Sequence, residues 1–382
     1  MQTQTSVYLD HAATTPLSEA ARAAMEPFLG ERYGNASSVH AAGREARKAV
    51  DEARERVAVA LGARPDEIVF TSGGTEADNL ALKGAAWHGR EQGRDRVVVS
   101  AIEHHAILDP ARWLARQGSR VAEVGVDASG VVRVDALEAA TDDRTAVVSV
   151  MWANNEIGTV QPVAACAAAA RAAGAVFHTD AVQAFPWIEV DAREADLLSI
   201  SAHKIGGPKG VGALMVRRGV KVQPLLHGGG QERDVRSGTY NVAGIVGFGA
   251  AVESWVARRA VQSERAAALR DRLQATLSAA LPGIRPSTGD AVRLPNNLHV
   301  CIEGVDGDSL ILLLDAAGIA ASQGSACSSG AAEPSHVLAA MGVSRSSARG
   351  ALRLTLGPET TASDVDAAAD AVVAAVARLR AR

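Results

Sequence analysis

Residues 175–216 read AVFHTDAVQAFPWIEVDAREADLLSISAHKIGGPKGVGALMV. Three short apolar runs, starting near Ala175, Leu197 and Val211, are separated by polar turns, and the first two end on ionisable side chains, Asp180 and then Ser201-Ala202-His203-Lys204. Upstream the same texture recurs at IVF (68), VVVS (97) and TAVVSVM (145), with longer helical patterns between the runs. That alternation predicts an α/β protein with a large, mainly parallel, doubly wound sheet. In such sheets ligands collect beyond the carboxyl ends of the strands. GGTEADN follows the first run, IEHHA the second, NNEIG the third, DAVQ the fourth and SAHK the fifth, so five strand ends bring polar groups to one edge.

Downstream, the glycine-rich segment HGGGQERDVRSGTYN (227–241) gives way to a helical stretch expected from about Ala243 to Leu281, with Leu269, Leu273 and Leu277 at helical spacing. Pro282-Gly283 ends it. The remainder reads as a smaller α/β unit: a strand at Asn297 to Ile302, a helix at Asp308 to Ala317, a loop carrying Cys327, a strand at ALRLTL and an alanine-rich final helix. The expected division is a large domain over 14–257 and a small one combining 1–13 with 258–382, the Cys327 loop running from about 322 to 334.

Composition bounds the chemistry. With 382 residues, 47% hydrophobic and 21% charged, the chain has the makings of a folded core, which excludes disordered and fibrous classes. A net charge of −4 removes any global electrostatic case for nucleic acid or a membrane surface as partner. Cys166, Cys301 and Cys327 form no C-x-x-C pair, so neither a disulfide framework nor a metal site is expected. The opening MQTQTSVYLDHAATTP lacks the features of a signal peptide, and no apolar run is long enough to span a membrane. A cytoplasmic protein is expected.

Lysine chemistry has only five candidates, Lys48, Lys83, Lys204, Lys209 and Lys221. Asp180 and Lys204 end consecutive apolar runs, so they belong on neighbouring strand ends. A lysine able to form a Schiff base, beside an acid that keeps a pyridine nitrogen protonated, is what pyridoxal 5'-phosphate needs. Lys209 is the second candidate, but it lies past the turn and directly before a strand. Lys48 sits in a charged helical stretch where a solvated face is expected. The turn FTSGGTEADN, a strand followed by glycines and a helix start, suits a phosphate bound through backbone N–H groups. His104 is a candidate acid–base group or ring platform, with His105 as its alternative. Asn154, Asn155 and Gln183 are candidate substrate or cofactor contacts that could equally serve the backbone. Cys327, in SQGSACSSGAAEPS, has the surroundings of an accessible nucleophile, whereas Cys166 and Cys301 read as inert core thiols.

Taken in order, YLDHAATTP, GNASSVH, FTSGGTEADN, EHHA, NNEIG, HTDAVQ, SAHKIGGPKG, HGGGQERDVRSGT, GSACSSG and RLTLG resemble the cysteine desulfurases over essentially the whole chain. These are pyridoxal-phosphate enzymes of the class V aminotransferase group and fold type I, and the GSAC loop is similar to the nitrogen-fixation and iron–sulfur-cluster branch. The resemblance implies a Schiff base on Lys204, Asp180 at the pyridine nitrogen, Gln183 at the phenolic oxygen and His104 stacked over the ring. It implies a phosphate site made by Gly74, Thr75, Ser201, Ala202, His203 and, from the second subunit of a homodimer, Thr239. Asn155 and Arg353 would hold the carboxylate of L-cysteine, and Cys327 would take the sulfur as a persulfide for an acceptor protein. The acceptor route stays open among iron–sulfur assembly, tRNA or cofactor thiolation and DNA phosphorothioation. Gln323 stands where relatives commonly carry Ser or Thr, and the ending VARLRAR lacks the extension by which longer relatives dock a scaffold. The competing expectations are a selenocysteine lyase or another class V enzyme in which Cys327 is incidental, and a cofactor-free binding protein on the same fold.

Overall fold

A computed structural model describes residues 7–324 and 335–381. After a short strand β1 (Val7–Tyr8), helices α1 (Glu19–Leu29) and α2 (Ala41–Leu61) precede β2 (Ile68–Thr71). There follow α3 (Gly74–Glu91), β3 (Arg96–Ser100), α4 (His105–Arg116), β4 (Arg120–Val124), α5 (Val134–Ala140), β5 (Thr145–Ser149), α6 (Val163–Ala172) and β6 (Val176–Asp180). Next come β7 (Leu197–Ser201), β8 (Gly212–Val216), α7 (Val242–Val256) and α8 (Arg259–Ala280). The chain continues through β9 (Asn297–Cys301), α9 (Gly307–Ala316), β10 (Ile319–Ala320), α10 (His336–Ala340), α11 (Arg345–Ala348), β11 (Ala351–Thr355) and α12 (Ala362–Arg380).

Seven strands form the main sheet in the order β2-β8-β7-β6-β5-β3-β4, and β8 alone among them runs against its neighbours. Because successive strand residues face opposite sides, the sheet builds two cores. Val97, Val99, Val147 and Leu214 pack on one side against Leu80 of α3 and Leu108 and Leu114 of α4. Val98, Val148, Phe177 and Met215 pack on the other against Val50 and Val57 of α2, Ala167 of α6 and Phe248 of α7. Burial on both faces explains why these strands read as continuous apolar runs.

A further core, separate from those two, unites the N terminus with the last third of the chain. Leu9 lies with Leu273 and Leu277 of α8, Leu298 and Val300 of β9, Leu352 and Leu354 of β11 and Val372 of α12. Strands β9 and β11 pair antiparallel, with Arg353 opposite His299, and β1 pairs parallel with β10. The segment after β1 then runs back to the edge of the main sheet, where the Thr15 N–H reaches the His203 carbonyl at 3.0 Å.

Three local expectations change. The single helix expected over Ala243 to Leu281 is two, α7 and α8, broken at Ala257-Arg258. Alpha7 is buried over most of its length, whereas α8 buries only a narrow face, so one sequence period covered two different environments. Strand β4, RVAEV, is a largely exposed edge strand whose polar content hid it from the apolar pattern. Beta1 and β10, two residues each, are too short for any periodicity. Among the described residues no helix is long and apolar enough to cross a membrane.

Candidate active site

The carboxyl ends of the parallel strands open on a cavity of 320 Å³, lined by Gly74, Thr75, His104, Asn155, Asp180, Gln183, Ser201, His203, Lys204 and Arg353. The fold thus brings together nearly every residue singled out in the sequence. Neighbouring strands β6 and β7 place Asp180 and Ser201 at this edge, and the 3-10 turn Ala202–Lys204 swings Lys204 inward. The Lys204 ammonium donates to the carbonyls of Ala12 (2.5 Å) and Ala13 (2.8 Å), and Gln183 Nε2 donates to the same Ala12 carbonyl at 3.0 Å. Residues 12–14 therefore form one wall, with Thr14 Oγ1 at 3.1 Å from His203 Nδ1.

At the opposite end, α3 starts directly after β2 with Gly73 at the cap position, and no side chain caps it. Its first-turn N–H groups are left for an anion, with the helix dipole aligned to favour one. Glycine suits this turn: a Cβ at Gly74 would stand 3.0 Å from Val182 Cγ2 and press that side chain aside. The Ser201 hydroxyl is buried here without a hydrogen-bond partner among the described residues. Ala202 supplies no polar side chain; it is buried and its N–H ties to Val211. Lys209 borders the outer side of this cradle beside Ser72, Gly73 and His203. An uncapped helix, an orphaned serine hydroxyl and nearby cations fit a phosphate.

Burial decides the protonation states. Asp180 is pushed up by desolvation, opposed by the Val182 N–H at 2.8 Å and the Lys204 charge. Asp78, fully buried on α3, is driven well up by desolvation and then by Asp180. His178, two residues before Asp180, is held neutral by burial with a pKa of about 3, its nitrogens meeting Ser149 at 2.8 Å and Ser199 at 3.0 Å. A carboxyl in so dry a place fits a pyridine nitrogen that carries a proton, because the pair exchanges two buried uncertainties for one hydrogen-bonded ion pair.

His104 caps α4: its Nδ1 accepts the Ala106 N–H at 3.1 Å. The neutral ring therefore carries its hydrogen on Nε2. Desolvation first, then Lys204, lowers its pKa to about 4. His105, the alternative, stacks edge-on against His336 at 5.0 Å near the cavity mouth. Asn154 and Asn155 separate in role. The Asn154 amide donates to the Ile102 carbonyl and accepts the N–H groups of Glu156 and Ile157, so it builds the turn. The Asn155 carbonyl accepts from Arg353 Nη1 at 2.8 Å.

Arg353, on β11, is buried at 2% exposure and reaches the cavity from the side of the β9–β11 pair. Thr239 is exposed and does not line the cavity of its own chain. Cys327 lies outside the described residues. Burial raises the Cys166 thiol to about 12 and also raises Cys301, which keeps both as inert thiols. Lys48 pairs with Glu52 at 3.8 Å on the surface of α2, the solvated face expected of it. Sequence reading missed Ala12 and Ala13, which act through backbone carbonyls that no side-chain pattern reveals, and the buried acids Asp78 and Glu103.

The family model described as "Aminotransferase class-V" matches residues 7–368. The chain is 48% identical over 381 residues to the "IscS-like cysteine desulfurase" of Mycobacterium tuberculosis, covering 98% of this chain and 97% of that one. Among solved structures, a "NifS-like protein" superposes with a TM-score of 0.91 at 38% identity, covering 98% of this chain and all of its own (100%). "SspA in complex with cysteine" superposes with a TM-score of 0.82 at 35% identity, covering 93% and 99%. The chain belongs to the class-V aminotransferase family, on the fold type I architecture, and its cofactor is pyridoxal 5'-phosphate. Within that family it is a cysteine desulfurase.

Proposed function

We propose that this chain converts L-cysteine to L-alanine and passes the sulfur through Cys327, with the cavity residues in the following roles. Bound pyridoxal phosphate supplies an electron sink that acidifies the substrate Cα–H and allows the Cβ–S bond to break. Lys204 would hold the cofactor covalently and, once free, would move the Cα proton. Asp180 would keep the pyridine nitrogen protonated, Gln183 would meet the phenolic oxygen, and His104 would provide a platform for the ring. Because its Nδ1 is committed to the Ala106 N–H, it serves as a hydrogen-bond donor through Nε2. Gly74, Thr75, Ser201, Ala202 and His203 hold the phosphate, and Thr239 of a second copy completes that site in a homodimer. Its exposure, away from its own cavity, supports this reading. Asn155 and Arg353 hold the substrate carboxylate.

The overall step balances as a sulfur transfer in which Cβ is reduced while the two sulfurs are joined. The Cβ–S bond of cysteine breaks, the Cys327 sulfur bonds to the departing sulfur, and a proton replaces sulfur on Cβ, giving Cys327 persulfide and alanine. An acceptor protein then takes the sulfur; iron–sulfur assembly, thiolation of tRNA or a cofactor, and DNA phosphorothioation are its candidate destinations. A two-domain division at about residues 14 and 257 and a cytoplasmic location, where dispersed thiols stay reduced, complete the proposal.

The observation that carries it is the meeting of Asp180 and Lys204 with an uncapped helix start in one cavity. The test mixes purified holoenzyme with L-cysteine and no reductant, then reads the Cys327 peptide by mass and alanine in the same tube. One added sulfur with matching alanine is expected, and Cys327→Ser should abolish sulfur transfer while keeping the yellow cofactor. Alanine formed at full rate by Cys327→Ser would replace this reading with a lyase in which Cys327 is incidental.

A further inference from the structure

A guanidinium carries five N–H donors. In Arg353, Nη1 donates to the carbonyls of Asn155 (2.8 Å) and Gly324 (3.1 Å), and Nη2 donates to Asp10 Oδ1 at 2.7 Å. The Nε–H is buried and has no partner among the described residues. Three donors are committed, and two remain: Nε–H and one hydrogen of Nη2. That is the number a single carboxylate accepts in a side-on fork.

Asp10 belongs to the segment that leaves β1, and its backbone is fixed by a bridge to Thr355 of β11, the strand that carries Arg353. The Tyr8 hydroxyl also donates to the Asp10 carbonyl at 3.1 Å. Its side chain is 20% exposed, against 2% for Arg353. Before substrate arrives, the pair is electrically neutral, which matters because an unpaired buried guanidinium is strongly destabilising. When an amino acid docks, two carboxylates face one cation, and Asp10 opposes the newcomer through space.

We propose that Asp10 is a positioning and specificity-setting residue: a resident counter-carboxylate that aims the Arg353 guanidinium and lowers its affinity for the incoming α-carboxylate. The inference rests on the reading of Arg353 as the carboxylate holder. Its two effects have opposite signs and separate in two variants. Asp10→Asn keeps the acceptor for Nη2 and removes the charge. Asp10→Ala removes both. An intact, fully cationic fork would retain any small carboxylate, including the product; the resident acid makes occupancy depend on the amino acid's other attachments.

The experiment titrates L-alanine into the holoenzyme and follows the change in cofactor absorbance, with L-alaninamide, which lacks the carboxylate, in parallel. Asp10→Asn should bind L-alanine about tenfold tighter, equivalent to ~1.4 kcal/mol. Asp10→Ala should bind it more weakly than the parent, and neither variant should change the response to L-alaninamide. Equal affinity in Asp10→Asn and the parent, weaker binding by Asp10→Asn, or a matching shift for L-alaninamide would overturn the proposal. Should Asp10→Ala fail to fold, the sign of the Asp10→Asn effect decides alone. Arg353→Gln separates the two layers: undiminished L-alanine binding there removes the carboxylate role of Arg353 itself. Lost binding there, with Asp10→Asn unchanged, removes only the role of Asp10.

Discussion

Arg54 and Arg353 are both buried, at 6% and 2% exposure, yet their surroundings differ in kind. Arg54, on α2, meets both oxygens of buried Glu232 at 2.6 and 2.7 Å, the Ile68 carbonyl at 2.8 Å and the face of Phe70 at 4.7 Å. It clamps a turn in which Glu232, Arg233 and Asp234 all have left-handed φ (48°, 58° and 63°), a strained conformation for side chains that are not glycine. Arg353 meets one carboxylate oxygen and two carbonyls and keeps a buried Nε–H in reserve. Arg54 makes as many hydrogen bonds as Arg353 but gives two of them to one buried carboxylate, which fixes it in the scaffold. Arg353 differs in that its buried Nε–H has no partner among the described residues, which is the feature its proposed carboxylate role uses.

The same contrast orders the predictions. Lys204 reaches into the cavity from a strand end, so in its proposed role Lys204→Ala should lower turnover by more than the ~10⁴-fold upper range of acid–base help, because the proposed cofactor anchor goes with it. Its visible cofactor absorbance should vanish while the apoprotein melts as before. A matching fall in Tm would place Lys204 in the scaffold and break the distinction.

Arg54→Met should cost about 3–5 kcal/mol of stability, since it strands Glu232 as a buried unpaired charge. Denaturant unfolding should show a larger loss than for Arg353→Gln, and Arg54→Met with Glu232→Leu should recover part of it. Equal losses for Arg54→Met and Arg353→Gln would erase the difference between the two sites.

The smallest effect belongs to Glu103. Its Oε1 accepts the Ser100 hydroxyl and the Met151 N–H, both at 2.6 Å, while Oε2 has no partner among the described residues. Desolvation raises its pKa to about 8, from 4.5. A carboxyl raised in the folded state contributes stability that is full below its unfolded pKa and is lost as pH rises through the folded one. Glu103→Gln stays neutral throughout, so its Tm should gain on the parent by about 5 °C between pH 5 and pH 8.5. A constant difference across that range would mean that Glu103 does not titrate there.

Legibility followed chemistry that repeats locally. The runs at 68, 97, 145, 175, 197 and 211 became β2, β3, β5, β6, β7 and β8, because strands buried on both faces must be apolar throughout. Asp180, Lys204 and the Gly74 turn were visible because each ends such a run. Strand β4 and the break at Ala257-Arg258 were not, since an exposed edge tolerates polar residues and two successive helices share one period. The roles of Ala12 and Ala13 are carried by carbonyls, which every residue possesses.

The amino-acid order by itself determined the alternating α/β architecture, the preference for Lys204 among five candidate lysines and the motif set of a desulfurase, because backbone periodicity and side-chain chemistry are local properties. Tertiary structure alone decided which donors remain unspent. Leu9 had to join a core built from residues after 270 before Asp10 could reach Arg353, a separation of 343 positions. No local pattern encodes that meeting, and burial, which only the packed chain supplies, takes the guanidinium of this ion pair out of solvent.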